Sequence, residues 1–131
     1  MTENQLQQQI IIWYKNNYQI HGKGLIFSVP NGGSRHILEA KTLKATGQMA
    51  GVSDLIILKP EGKTIFVELK VEKGIQSEVQ KTFQSKVEAL GFEYHLIKSL
   101  EQFKQIKLWK QRQSTQQLKK QMLFIMNLNY K

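Results

Sequence analysis

A chain of 131 residues without a single cysteine has no disulfide framework, no thiolate zinc site and no cysteine nucleophile. A hydrophobic content of 40%, with six Phe, four Tyr and two Trp, supplies one ordinary core and excludes disorder over most of the length. Nineteen Lys and Arg against ten Asp and Glu leave a net charge of +9, which points to a polyanionic partner, nucleic acid first and an anionic membrane surface second, without naming a function.

The apolar runs Leu55–Leu58 and Met122–Met126 fall far short of the roughly 20 residues that span a bilayer. Met1–Gln9 is too polar for a signal peptide, so an intracellular, soluble, non-secreted chain is expected. From Glu3 to about Tyr18, apolar residues at Leu6, Ile10, Trp13, Tyr14 and Tyr18 have helical spacing and predict an amphipathic helix. Leu25–Val29 suits a strand, ended by Pro30-Asn31-Gly32-Gly33. A short helix from Ile37 to Ala45 should stop at Gly47.

Two strand candidates follow, Asp54–Leu58 and Thr64–Val71, joined by Lys59-Pro60-Glu61-Gly62-Lys63, whose Pro and Gly favour a hairpin. Alternation in the second strand puts Ile65, Val67, Leu69 and Val71 on one face, with Phe66, Glu68, Lys70 and Glu72 on the other. Ser77-Glu78-Val79-Gln80 reads as a capping box opening a helix with an apolar stripe at Val79, Phe83, Val87 and Leu90, closed by Gly91. Phe92–Ile97 alternates as a strand, and a right-handed crossover should lay it parallel to the strand of Glu68. Ser99-Leu100-Glu101-Gln102 then opens a helix through Phe103, Ile106 and Trp109. These elements predict an α/β fold, a small mixed β-sheet flanked by helices, over residues 1–110. Residues 111–131 form a basic and apolar extension, left open as a helix, a strand or a dimer contact.

A hairpin centred on Glu61 pairs residues whose numbers sum to about 122, which sets Asp54 across from Glu68 with their side chains about 5 Å apart. Two like charges that close repel unless a cation lies between them. Lys70 supplies one positive charge on the same face, and a divalent cation would supply the rest; carboxylate, carbonyl and water oxygens suit Mg²⁺ or Mn²⁺.

Pro30 to Arg35, Gly47 with Gly51-Val52-Ser53-Asp54, Phe66-Val67-Glu68-Leu69-Lys70, Gly74 with Ser77 to Gln80, and Gly91 to Tyr94 together resemble the virus-type replication-repair nuclease domain, VRR-NUC, of the PD-(D/E)xK superfamily. The resemblance spans roughly residues 3–107 and implies a restriction-endonuclease-like core. It makes Asp54 and Glu68 the metal-binding carboxylates, with the Leu69 carbonyl and Glu3 as further ligands, and Lys70 the group that handles the attacking water and the charge at phosphorus. Gln80 matches the family's helix glutamine. Ser53 stands where many members have Pro, a change without chemical consequence. Stand-alone members, as in phages, resemble homodimeric Holliday-junction resolvases, so the resemblance implies a metal-dependent endodeoxyribonuclease acting on branched DNA in a bacterial cytoplasm, with no membrane partner.

Each residue also has a plainer reading. Asp54 could cap a strand, Glu68 and Lys70 could lie on a solvated strand face, Gln80 could serve only its capping box, and Glu3 could answer only the helix dipole. The loop Asn31, Gly32, Gly33, Arg35 and His36 reads either as a tight turn or as a phosphate-contacting loop, and Lys41 and Lys44 share a helix face that either touches phosphate or is merely solvated. A flap or nicking nuclease and a non-catalytic DNA-binding module are the competing functions; the intact Asp54, Glu68 and Lys70 argue against the latter. Charge is unevenly spread: residues 1–53 carry net +3, residues 54–93 net −1, and residues 94–131 net +7. Basic flanks thus surround a locally acidic segment, the pattern expected of phosphate binding around a metal pocket.

Overall fold

The computed structural model describes residues 1–30, 37–108, 119–120 and 122–128, with the backbone alone for residues 37–40. The elements are α1 (Glu3–Asn17), β1 (Leu25–Ser28), α2 (Ile37–Ala45), β2 (Leu55–Lys59), β3 (Lys63–Leu69), α3 (Glu78–Ala89), β4 (Glu93–Ile97) and α4 (Leu100–Lys104), with 3₁₀ turns at Gln19–His21 and Pro60–Gly62. Four strands form one mixed sheet in the order β1-β2-β3-β4, antiparallel except for the β3–β4 pair.

The β2–β3 hairpin turns through Glu61 and Gly62, both with positive φ (69° and 74°), the hand that suits the twist of the flanking strands. Its register pairs Leu55 with Val67 and Ile57 with Ile65, the sum of 122 expected from the sequence. Strand β2 begins at Leu55 rather than Asp54, so Asp54 sits one step beyond the ladder, at the mouth of the sheet. Strand β3 stops at Leu69, two residues earlier than predicted. Lys70 still donates its N–H to the Ile97 carbonyl at 3.0 Å, but then Glu72 takes φ 51° and the Gly74 N–H closes a turn on the Val71 carbonyl at 2.9 Å.

One face of the sheet is aliphatic. Ile26, Leu55, Ile57, Ile65, Val67, Leu69 and Ile97 are buried against Leu6, Ile10 and Tyr14 of α1 and Phe103 of α4. Each such aliphatic side chain stabilises the fold by roughly 1.5–3 kcal/mol relative to exposure. Trp13 meets Phe103 edge-on at 5.8 Å, closing the seam between the two helices. α4 ends at Lys104, short of the predicted Trp109, because Ile106 bonds back to the Phe103 carbonyl in a tighter turn that returns Ile106 and Leu108 to the core. Trp109 lies outside the described residues.

On the other face, α3 covers β3 and β4. Phe66 packs edge-on against Phe83 and Phe92, at 5.4 and 5.7 Å. The buried stripe of α3 differs from the predicted one: Phe83 and Val87 are buried, whereas Val79 and Leu90 at the helix ends are exposed. The helix is rotated so that Gln80 and Gln84, partly buried, share the inward face with Phe83 and Val87. In the extension, residues 119–120 and 122–128 are helical, which decides against a strand there. No helix among the described residues is long and apolar enough to cross a membrane.

Candidate active site

The open end of the β2–β3 hairpin gathers the site. Glu68, on the α3 side of β3, is 1% exposed, so the solvated-face reading fails for it. Asp54 is partly buried, and its Oδ2 accepts the Leu69 N–H at 2.7 Å, a charge-assisted bond that ties the end of the 46–54 loop to the end of β3. Ser53, fully buried, donates its hydroxyl to the Leu55 carbonyl at 3.1 Å, holding that loop end in place of a Pro.

Gln80 serves two purposes that the sequence presented as alternatives. Its Oε1 accepts the Ser77 N–H at 2.9 Å as the return half of a capping box, while Ser77 Oγ accepts the Gln80 N–H at 3.3 Å. That arrangement leaves Nε2 to donate to Glu68 Oε1 at 3.0 Å. The cap therefore fixes the amide's orientation, and the amide fixes the carboxylate.

Lys70 Nζ stands 3.9 Å from the same Oε1, too far for a hydrogen bond but close enough to act as a charge. Its aliphatic stem lies against Gly74. The other oxygen, Glu68 Oε2, is buried with no hydrogen-bond partner among the described residues. Burial pushes the Glu68 carboxyl up to about 8, with further upward contributions from the Asp54 charge, a hydrogen bond with Asp54 and the Glu3 charge, against a downward pull from Lys70. When Glu68 is ionised, no donor among the described residues satisfies Oε2. An unsatisfied buried carboxylate oxygen beside a second carboxylate calls for a cation. Carboxylate oxygens are hard donors of the kind Mg²⁺ or Mn²⁺ takes, so Asp54 and Glu68 could hold such an ion.

Glu3 is exposed in the first turn of α1. Thr2 pins that turn with its own capping box, accepting the Gln5 N–H at 3.1 Å and donating its N–H to Gln5 Oε1 at 2.8 Å. Glu3 reaches Glu68 electrostatically, yet no three His, Cys, Asp or Glu side chains converge as a metal cage among the described residues. Leu69 contributes its N–H to Asp54, and its side chain belongs to the aliphatic face. Lys41 and Lys44 are exposed on α2. Asn31, Gly32, Gly33, Arg35 and His36 lie outside the described residues.

Sequence reasoning gave no role to a polar layer beside the site. Gln76 Nε2 donates to Gln84 Oε1 at 2.9 Å and to the Tyr94 hydroxyl at 3.1 Å. Burial pushes Tyr94 up to about 12, and the charges of Glu68 and Asp54 add to the rise, which places the phenol within their field. The spacing of Gln76, Gln80 and Gln84, four residues apart, was the available signal.

No curated protein matches this chain. Among solved structures, one described as a "VRR_NUC domain protein" superposes with a TM-score of 0.62 at 20% identity, over 82% of this chain and 90% of that one. Another, described as a "VRR_NUC domain", gives a TM-score of 0.53 at 21% identity, over 76% of this chain and 87% of that one. These likenesses establish the fold. The family itself is set by the sequence, since the VRR-NUC domain matches residues 1–101, the stretch that contains Glu3, Asp54, Glu68, Lys70 and Gln80. The chain belongs to the VRR-NUC domain family, a nuclease family.

Proposed function

We propose that the chain is a divalent-metal-dependent, structure-selective DNA endonuclease that works as a homodimer on branched DNA, in the manner of a Holliday-junction resolvase. The observation that carries the reading is Glu68, a carboxylate buried beside Asp54 with one oxygen held by Gln80 and the other unpartnered. Mg²⁺ or Mn²⁺ would be held by Asp54 and Glu68, with the Leu69 carbonyl, Glu3 and water as further donors. When bound, the cation supplies a Lewis acid at the phosphodiester and lowers the pKa of a coordinated water.

The residues of the chain do the rest. Gln80 keeps Glu68 aimed, and Asp54 is steadied by the Leu69 N–H. Lys70 orients the attacking water and neutralises the charge that builds on the phosphate oxygens in the transition state. Water adds to phosphorus, the P–O bond to the leaving sugar oxygen breaks, and that oxygen takes up a proton. No covalent enzyme intermediate is involved. Residues 1–110 form the nuclease unit. The basic flanks, with Lys41, Lys44 and the Asn31–His36 loop, hold DNA phosphates, and a two-fold dimer suits paired incisions across a junction.

Cleavage of four-way-junction, flap and linear duplex substrates by the purified chain tests the reading. Expected are Mg²⁺-dependent paired incisions in the junction, inhibition by a chelator, and retained binding without cleavage in Asp54→Ala. No cleavage of any substrate overturns it, while preference for flaps, or a monomer in solution, moves it to a flap nuclease.

A further inference from the structure

The loop that delivers Asp54 comes close to the helix that delivers Gln80 at Gly51. Its φ is +83°, a conformation that side-chain-bearing residues rarely adopt. A Cβ there would lie within 3.0 Å of the Val79 carbonyl carbon and oxygen and of the Gln80 nitrogen, the last at 2.9 Å. All three are main-chain atoms of the first turn of α3, which the Ser77 capping box holds in place. They cannot rotate aside as a side-chain end could.

Two short connections leave this contact. Three residues along the loop, Asp54 accepts the Leu69 N–H. On the helix side, Gln80 donates to Glu68, the residue just before Leu69 in β3. Contact, loop, strand and helix therefore close a small ring around the two carboxylates. We propose that Gly51 is a positioning residue: its bare backbone seats the 51–54 loop on the first turn of α3, and that seat sets Asp54 relative to the Gln80–Glu68 pair. The catalytic consequence rests on the nuclease reading above; the geometric one does not.

A matched pair of variants separates crowding from backbone strain. Gly62, in the hairpin turn, has φ +74° with nothing within 4 Å of a Cβ, so Gly62→Ala carries similar strain without the clash. Three readouts apply to the full chain: Mn²⁺ affinity, exchange of the Leu69 amide by NMR, and cleavage kinetics. Gly51→Ala should weaken Mn²⁺ binding and lower kcat by about tenfold each, with KM little changed, the scale of losing a partner that orients a metal ligand. It should also speed exchange of the Leu69 amide, while Gly62→Ala leaves all three near the wild type. Equal behaviour of the two variants overturns the inference. If Gly51→Ala does not fold, native-state exchange of the wild type decides: the Leu69 and Gln80 amides should open together with the same denaturant dependence, and independent opening contradicts the seat. A wild type that cuts no DNA yet shows the Mn²⁺ and exchange differences would sink the nuclease reading alone.

Discussion

The two faces of β3 each carry fully buried side chains and do opposite work. Ile65, Val67 and Leu69 lie under α1 among aliphatic side chains, and their burial stabilises the fold. Phe66, Glu68 and Lys70 lie on the α3 side, where Glu68 is as inaccessible as Ile65 and Leu69 but is a carboxyl whose ionisation is opposed by its surroundings. One face holds the strand in place, and the other uses that rigidity to keep like charges together. Phe66, edge-on to Phe83 of α3 and to Phe92 beyond it, is an apolar anchor beside Glu68.

Changes on the two faces should therefore separate activity from stability. Glu68→Gln or Asp54→Asn should cost about 10³-fold in single-turnover cleavage, several kcal/mol of transition-state stabilisation, with the fold retained by circular dichroism. An unfolded Glu68→Gln would blur the contrast. On the aliphatic face, Leu6→Ala should lower stability in urea by about 2–5 kcal/mol while leaving cleavage per folded molecule unchanged.

The pH dependence carries the same contrast. The Glu68 carboxyl titrates at about 8 in the folded chain against 4.5 as its ordinary value. Between these values folding takes up a proton, so its contribution to metal-free stability is complete below pH 4.5 and is lost as pH rises through about 8. Urea denaturation across that window should show the decline, and Glu68→Gln should flatten it. Smaller effects are expected at the supports. Gln80→Ala should lower kcat by about tenfold, the scale of a lost orienting partner, with DNA affinity little changed. Thr2→Ala should cost about 1 kcal/mol of stability, measured by urea denaturation, by removing the cap that holds the turn of Glu3.

The carboxylate pair was legible in the sequence because its geometry is local. A short Pro- and Gly-bearing turn fixes the register, which ends at Leu55 and Val67 and so brings Asp54 to the end of β3, where it accepts the Leu69 N–H next to Glu68. The boundaries of α2 and the parallel β3–β4 crossover were legible for similar local reasons. The depth of Glu68 was not, since alternation shows that two faces exist without showing whether the polar one meets water or a helix. The rotation of α3 was hidden as well: Val79 looked like part of an apolar stripe, but it is exposed while Gln80 turns inward. The double bonding of Gln80 and the close approach at Gly51 depend on tertiary contact, which spacing alone does not encode. Alternation sets Lys70 on the face of Glu68, whereas the catalytic role proposed for Lys70 and the ligand role proposed for Glu3 rest on family resemblance.

Thermal melting at pH 8, near the titration point of Glu68, with and without Mg²⁺, tests most directly the claim that the Asp54–Glu68 pair is built for a cation. Mg²⁺ should raise the midpoint of the wild type because binding to the folded state alone stabilises it, and should leave Glu68→Gln and Asp54→Asn nearly unmoved. A wild type indifferent to the ion, or variants that respond as strongly as the wild type, would contradict that claim.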